Sequence, residues 1–324
     1  KRARRISELL ESAIVLDYAS KTFFHLLAQS DLLRRAASHY GMRHPSSFAR
    51  RFIAGETVEE AVATARDLEA QGLLHTLDYL GESVASLAEA DAATRDYLRV
   101  IDAVKQAGVI RNLSLKLTQL GLDVDRATAV DNLRRILDHA FDFFVRIDME
   151  SSAYTQVTLD IFEILWEQGY RNIGVVLQAD LFRTEADEER ISRLGGRIRL
   201  VKGAYRESKT VAYQKKADVD ERYAVLIKRL LERGHYPAIA THDIRMIDLA
   251  RSHADTLGRG RDAFEFQMLF GIRRDLQQML VREGYRVRIY VPFGRQWFPY
   301  FMRRLGERPA NLGFVLRSLA ADKG

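Results

Sequence analysis

A chain of 324 residues with 47% hydrophobic and 29% charged residues has the material for a large core under a solvated surface. It holds no cysteine, which excludes disulfides and thiolate catalysis, no apolar run approaches the roughly 18–20 residues of a membrane span, and no signal-peptide pattern opens it, so a cytoplasmic setting is expected. The net charge of +6 would suit nucleic acid, anionic lipid or an anionic substrate; the basic residues are spread out, with Lys1–Arg5 the one dense cluster and no nucleic-acid-binding signature beside it, so no nucleic-acid partner is expected.

Residues 6–39 read as helical, with Leu9, Leu10, Ala13 and Leu16 at helix spacing, until Gly41 and Pro45 end the region. A second helix starts at Thr57, whose hydroxyl with Glu60 three residues on makes a capping box, and runs to about Gln71 and Gly72. Short apolar strands then alternate with amphipathic helices, repeating at roughly 30–40 residues. The strands are expected at Leu73–Leu80, Ile110–Leu117, Phe143–Met149, Ile173–Gln178, Ile198–Lys202, Ala238–Thr241, Phe264–Leu269 and Val287–Val291. Helices are expected around Ala92–Ala107, Asp125–Ala140, Thr155–Gln168, Ala186–Leu194, Asp218–Arg233, Asp243–Leu257 and Asp275–Glu283. This is the strand count of an α/β (β/α)8 TIM barrel, spanning residues 73–324 behind an N-terminal helical extension over 1–72. A doubly wound open sheet is the alternative, but no Gly-rich turn of the GxGxxG type follows an early strand.

In such a barrel, ligand-handling groups sit at the C-terminal ends of strands. Those ends carry Asp78 and Glu82, Lys116, Asp148 and Glu150, Gln178, Lys202 and Tyr205, Thr241 and His242, Glu265 and Gln267, and Tyr290. The stretch Arg199–Tyr205 puts two cations and a Gly-Ala pair where a strand hands over to a loop, which suits an electron-rich ligand approached closely by backbone. After the last strand, Tyr300, Arg303, Arg304 and Glu307 share one side of a helix. Two neighbouring guanidiniums turned inward call for an anion between them, and arginine grips carboxylates bidentately; the same face turned outward would be a solvated Arg303–Glu307 pair.

RLVKGAY at Arg199–Tyr205, ATH ending at Thr241-His242, FEFQML at Phe264–Leu269, RIYVPFG at Arg288–Gly294 and YFMRR at Tyr300–Arg304 occur in the order seen in the proline dehydrogenase family. LGE at Leu80–Glu82, SLKL at Ser114–Leu117, IDME at Ile147–Glu150 and QA at Gln178-Ala179 match as well. Each motif is weak and the ordered set is specific; together they span roughly residues 75–317, and the chain resembles the stand-alone form, with no room for a fused aldehyde dehydrogenase domain. The resemblance implies a distorted (β/α)8 barrel that binds FAD and oxidises L-proline to Δ1-pyrroline-5-carboxylate, the first step of proline catabolism to glutamate. Electrons would pass on to a membrane quinone through a transient peripheral membrane contact, with a pyrroline-5-carboxylate dehydrogenase as the pathway partner.

Residue by residue, the resemblance implies that Arg303, Arg304 and Lys116 hold the substrate carboxylate, while Leu200, Tyr205, Tyr290 and Tyr300 wall the ring. Arg199 would meet the flavin near its reactive nitrogen and Asp148 would organise the site. Met149, Gln178, Val201, Lys202, Gly203, Ala204, Thr241 and His242 would line the FAD, and Glu82 with Arg303 would gate the pocket. Phe270 stands where many relatives have His, and Asp243 where Asn is common; both bear on ring-edge and ribose contacts. Two other readings compete. A barrel lyase would use Lys116 or Lys202 as a Schiff base; a nucleic-acid or membrane-surface binder would depend on Lys1–Arg5.

Overall fold

The computed structural model describes Met42 and residues 48–306, with the side chains of 48, 303, 305 and 306 excepted. The expected helices over 6–39 and the Glu307 end of the last helix lie outside the described residues. Eight parallel strands close into one barrel in chain order: β1 (Leu74–Tyr79), β2 (Asn112–Leu115), β3 (Phe144–Ile147), β4 (Ile173–Gln178), β5 (Arg197–Val201), β6 (Ala238–Ala240), β7 (Glu265–Leu269) and β8 (Arg286–Phe293). Helix α1 (Val58–Glu69) precedes β1; α2 (Leu87–Ala107), α3 (Arg126–His139), α4 (Ser152–Glu167), α5 (Thr184–Leu194), α6 (Lys216–Arg233), α7 (Ile244–Thr256) and α8 (Arg274–Arg282) follow strands β1 to β7, and α9 (Trp297–Gly306) follows β8.

The helix starts are set by local chemistry. Thr57 and Glu60 make the expected reciprocal capping box of α1, and Ser86, Asp125 and Asp243 cap α2, α3 and α7 with their side-chain oxygens. Strand β4 has the bounds expected from sequence, and most of the others end a residue or two earlier than the apolar runs do. Strand β8 runs further, through Pro292 to Phe293. Pro292 lacks only a donor; its carbonyl still accepts from Ala54 N at 2.9 Å, and the Phe293 carbonyl accepts from Leu80 N at 2.8 Å.

The barrel departs from regularity at its seam. Helix α1 packs across β1 and β8, burying Ala61, Val62, Ala65 and Leu68, in the slot that the helix after β8 would fill in a regular barrel. Helix α9 instead buries Trp297, Phe298, Tyr300 and Met302 in a separate cluster with Phe52, Leu80 and Ile272, against Leu269 and Tyr290 at the ends of β7 and β8. The last helix therefore lies over the strand C-termini, where it can touch a ligand.

Strand alternation sorts side chains into two environments. The outer set, including Leu77, Leu115, Ile147, Leu177 and Leu200, is buried against the helices, each side chain contributing about 1.5–3 kcal/mol by removal from water. The inner set is polar. Thr76, Asp78, Ser114, Arg146, Arg199, Glu265, Gln267 and Arg288 are all buried there, and the register runs them together as Asp78↔Ser114 and Ser114↔Arg146. On the floor, Arg288 grips Glu265 with two contacts at 2.7 and 2.9 Å, and Arg146 donates to the Val175 and Arg197 carbonyls at 3.0 and 2.6 Å. Burial pushes the Glu265 carboxyl up, but Arg288 outweighs it and holds the group below the usual range.

Candidate active site

Above that floor, five strands deliver one ionic cluster. Asp148, the residue after β3, accepts from Arg199 Nη1 at 2.7 Å through Oδ1 and from the Tyr290 hydroxyl at 2.6 Å through Oδ2. Lys116 Nζ, just past β2, lies 3.6 Å from the same Oδ2 and 3.5 Å from Asp78 Oδ1. Arg199 also donates to Ser114 Oγ at 2.9 Å, its guanidinium carbon sits 5.3 Å from the Tyr290 ring centre, and its Nε has no partner. Short charge-assisted contacts fix Asp148, Arg199 and Tyr290 rigidly. The two contacts of Lys116 are long, so neither carboxylate takes up its ammonium fully.

The electrostatics decide between chemistries. Burial disfavours the Lys116 charge, but Asp78, Asp148 and Glu82 outweigh it and hold its proton more tightly than in a free lysine. A Schiff-base lysine needs the opposite shift, so Lys116 is a cation for binding rather than a nucleophile. Burial, reinforced by Asp148 and Asp78, raises the Tyr290 phenol well above its ordinary value, so it stays a hydrogen-bond donor.

Glu82, Tyr300, Leu80, Gly81, Gln296, Pro299 and Lys116 enclose a cavity of about 20 Å³, the size of a single water. Tyr300 is buried in the α9 cluster, and the Arg304 guanidinium stacks 5.2 Å from its ring centre. The structure thus brings Lys116, Glu82 and Tyr300 to one mouth, with Arg304 stacked on Tyr300; the side chain of Arg303, and with it the Glu82–Arg303 gate, lies outside the described residues. A larger cavity of about 310 Å³ between Arg51, Phe52 and the Gly271–Asp275 turn shares no residue with this cluster.

Toward β4–β6 the wall opens. Gln178 donates to the Glu150 carbonyl at 3.0 Å, behind buried Met149, and Val201 ends β5 half-buried on the Arg199 side. Gly203 takes φ +122, and a Cβ there would come within 2.1 Å of the Asp180 carboxylate; Ala204 and Tyr205 follow, exposed. Tyr205 is near enough to bear on the Lys116 charge. Thr241 is buried, and its Oγ1 accepts from Asp243 N at 3.0 Å. His242 Nε2 accepts from Leu269 N at 3.0 Å, which leaves the ring proton on Nδ1. An exposed strand-end loop, with a glycine that tolerates no Cβ and, on the strand before it, a buried guanidinium N–H left over, fits a planar heterocycle rich in acceptors.

One expectation is corrected. Leu200 alternates with Arg199, so it faces the helices, fully buried in the apolar core, and does not wall the interior. Lys202 is held by Asp220 on α6 at 2.5 Å and by Asp243, the α7 cap, at 3.0 Å, with its ammonium turned to the helix side of the rim. The position that departs from the common Asn therefore serves as an N-cap and ion-pair partner; hydrogen bonds from Arg245 and Lys202 hold the Asp243 carboxyl well below the usual range. Ser114 and Thr76, 3.4 Å apart behind Arg199, were not singled out from sequence. The alternation of Ser114 with Lys116, and of Arg146 with Asp148, is the signal that places them on the inner face.

A (β/α)8 barrel whose closing helix lies over a mouth of paired cations and carboxylates defines a class of ligand-binding barrel, and comparison with known proteins narrows it. Residues 61–317 match the family model described as Proline dehydrogenase. Proline dehydrogenase 2 of Bacillus subtilis (strain 168) is 42% identical over 302 residues, covering 93% of this chain and 98% of that protein. The proline dehydrogenase of Deinococcus radiodurans is 43% identical over 279 residues, covering 84% and 90%. Among solved structures, proline utilization A from Bdellovibrio bacteriovorus, inactivated by N-propargylglycine, superposes with a TM-score of 0.74 at 28% identity, over 79% of this chain and 32% of that one. The chain belongs to the proline dehydrogenase family.

Proposed function

We propose that this protein is a proline dehydrogenase: it oxidises L-proline to Δ1-pyrroline-5-carboxylate with FAD, as the first step of proline catabolism toward glutamate, and passes the electrons to a membrane quinone. The observation that carries the reading is the joining of Lys116, Asp148, Arg199 and Tyr290 on the inner wall to Tyr300 and Arg304 on the helix above it. Membership of the family supplies the reaction. No helix among the described residues is long and apolar enough to cross a membrane, so contact with a quinone is taken to be peripheral and transient, and a pyrroline-5-carboxylate dehydrogenase is the natural consumer of the product.

FAD would be held along Met149, Gln178, Val201, Gly203, Ala204, Thr241 and His242, with the unpartnered Arg199 Nε facing the ring edge, and Lys202 contributing backbone. When bound, FAD supplies the two-electron acceptor for the hydride that leaves the ring carbon beside nitrogen. The chain's own residues do the rest. Lys116 with Arg303 and Arg304 binds the carboxylate and so fixes which carbon faces the cofactor, an orientation effect. The same cations disfavour a protonated amine, and hydride departs most readily from the neutral one. Asp148 keeps Arg199 and Tyr290 in place, so the cation stands ready where negative charge develops. Tyr205, Tyr290 and Tyr300 close on the ring. The space at Lys116 is too small for a proline, so α9 and the Glu82 segment separate from Lys116 to admit it, and Glu82 with Arg303 gates that step. The test is direct: the purified protein should release FAD on denaturation and turn over L-proline with a soluble dye acceptor. A colourless protein trapped on a carbonyl substrate by borohydride would overturn the reading.

A further inference from the structure

Asp78 has no task in the mechanism above, yet it sits inside it. It is an inner residue of β1 with a side chain only 1% exposed, and its Oδ1 lies 3.5 Å from Lys116 Nζ. Its Oδ2 has no hydrogen-bond partner. The groups facing it come from every wall: Lys116 from β2, Asp148 after β3 with Arg199 of β5 behind it, Tyr290 from β8 and Tyr97 from α2. Tyr290 is within reach, but its one proton goes to Asp148 at 2.6 Å, and the Tyr97 hydroxyl goes to Gln119 and the Tyr79 carbonyl.

Two carboxylates thus share one ammonium, unequally. Asp148 has Arg199 and Tyr290 as well; Asp78 has Lys116 alone. Lys116 already faces Asp78 and Asp148, with Glu82 at the mouth, and an arriving substrate carboxylate adds a further negative charge beside it. The least compensated buried carboxyl is the one that gives way by taking a proton. Burial, then the neighbouring Asp148 charge, push Asp78 in that direction against Lys116.

We propose that Asp78 is a positioning residue that sets how much of Lys116 the substrate carboxylate receives: carrying a proton it leaves the ammonium to the substrate, and ionised it competes for it. The proton is exchanged with solvent while the mouth is open, and no substrate bond is touched. This rests on Lys116 anchoring the carboxylate. The probe is cyclopentanecarboxylate, a ring acid without an amine, as a competitive inhibitor of the holoenzyme with L-proline and a soluble dye acceptor, from about pH 6 to about pH 9, where the acid itself does not titrate.

For the wild type, the inhibition constant should rise about tenfold with pH as Asp78 ionises, one tenfold change being about 1.4 kcal/mol. For Asp78→Asn it should stay near the wild-type low-pH value throughout. The same rise in Asp78→Asn overturns the proposal, because another group is then titrating. A flat wild-type profile overturns it whether or not the variant folds. Lys116→Met separates the two layers: it should bind the acid weakly at all pH values. Wild-type affinity in that variant would sink the anchor role of Lys116 itself, whereas a pH-dependent Asp78→Asn beside a weakened Lys116→Met sinks only the role of Asp78.

Discussion

Truncating Asp148 is the perturbation that the geometry makes most demanding. Asp148→Ala removes the acceptor of Arg199 at 2.7 Å and of Tyr290 at 2.6 Å, and the nearer-balanced partner of Lys116 at 3.6 Å. Arg199, with a side chain 6% exposed, keeps the Ser114 hydrogen bond and the Tyr290 ring face but no counter-charge in the cluster. Breaking a buried pair by removing one partner costs about 3–5 kcal/mol, which at about 2–4 °C per kcal/mol for a chain of this size lowers Tm by roughly 6–20 °C. Asp148→Asn keeps an acceptor oxygen and loses the charge, so it should cost about half as much, since a neutral hydrogen bond is roughly half as strong as a charge-assisted one. Thermal unfolding of the holoenzymes gives the first number, and the rate of flavin reduction by L-proline in anaerobic stopped flow gives the second. Both variants should reduce more slowly than wild type, because Arg199 is no longer fixed. If Asp148→Ala melts within about 2 °C of wild type and reduces at the wild-type rate, Asp148 does not organise the site.

Three further outcomes are expected. Lys116→Met and Arg304→Met should each raise KM for proline by about 10–100-fold with FAD still bound, the worth of a charged hydrogen bond; an unchanged KM in steady-state assays places the anchor elsewhere. Gly203→Ala should cost about 1–3 kcal/mol of backbone strain and lose FAD on gel filtration, because φ is +122 and the new Cβ meets Asp180 at 2.1 Å; full retention would move the cofactor off this loop. Asp180, pushed up to about 7 by burial and by Glu207, binds a proton more tightly folded than unfolded. Its contribution to stability is therefore complete below about pH 4 and lost as pH rises through about 7. Asp180→Asn should raise Tm at pH 8 while leaving it near wild type at pH 4; an equal shift at both would remove Asp180 as the titrating group.

The barrel was legible because short strands alternate with amphipathic helices along the chain, and β4, which reads as a nearly continuous apolar run, came out with its observed bounds. Capping chemistry placed the start of α1 equally well at Thr57 and Glu60. Strand β8 was read short, ending at Val291, because its pairing with β1 through Pro292 and Phe293, and the donation of Ala54 N to the Pro292 carbonyl, exist only in the closed barrel. Within the site, the resemblance carried residues over one at a time, and that is why Leu200 was placed beside Arg199 although neighbours on a strand face opposite ways. The ion pairs of Lys202 were not legible, because its partners Asp220 and Asp243 lie far off in sequence, on α6 and at the α7 cap. Asp78 was visible at a strand end, but nothing in one strand shows that it shares Lys116 with Asp148. That pairing exists only once the barrel closes.

The central claim is that L-proline delivers two electrons to a flavin held beside Arg199. Mixing the purified protein with L-proline without oxygen, and recording its visible spectrum before and after, tests it most directly. The flavin bands should be present at the start and bleach on addition of L-proline. A flavin spectrum that L-proline leaves unchanged would contradict the account.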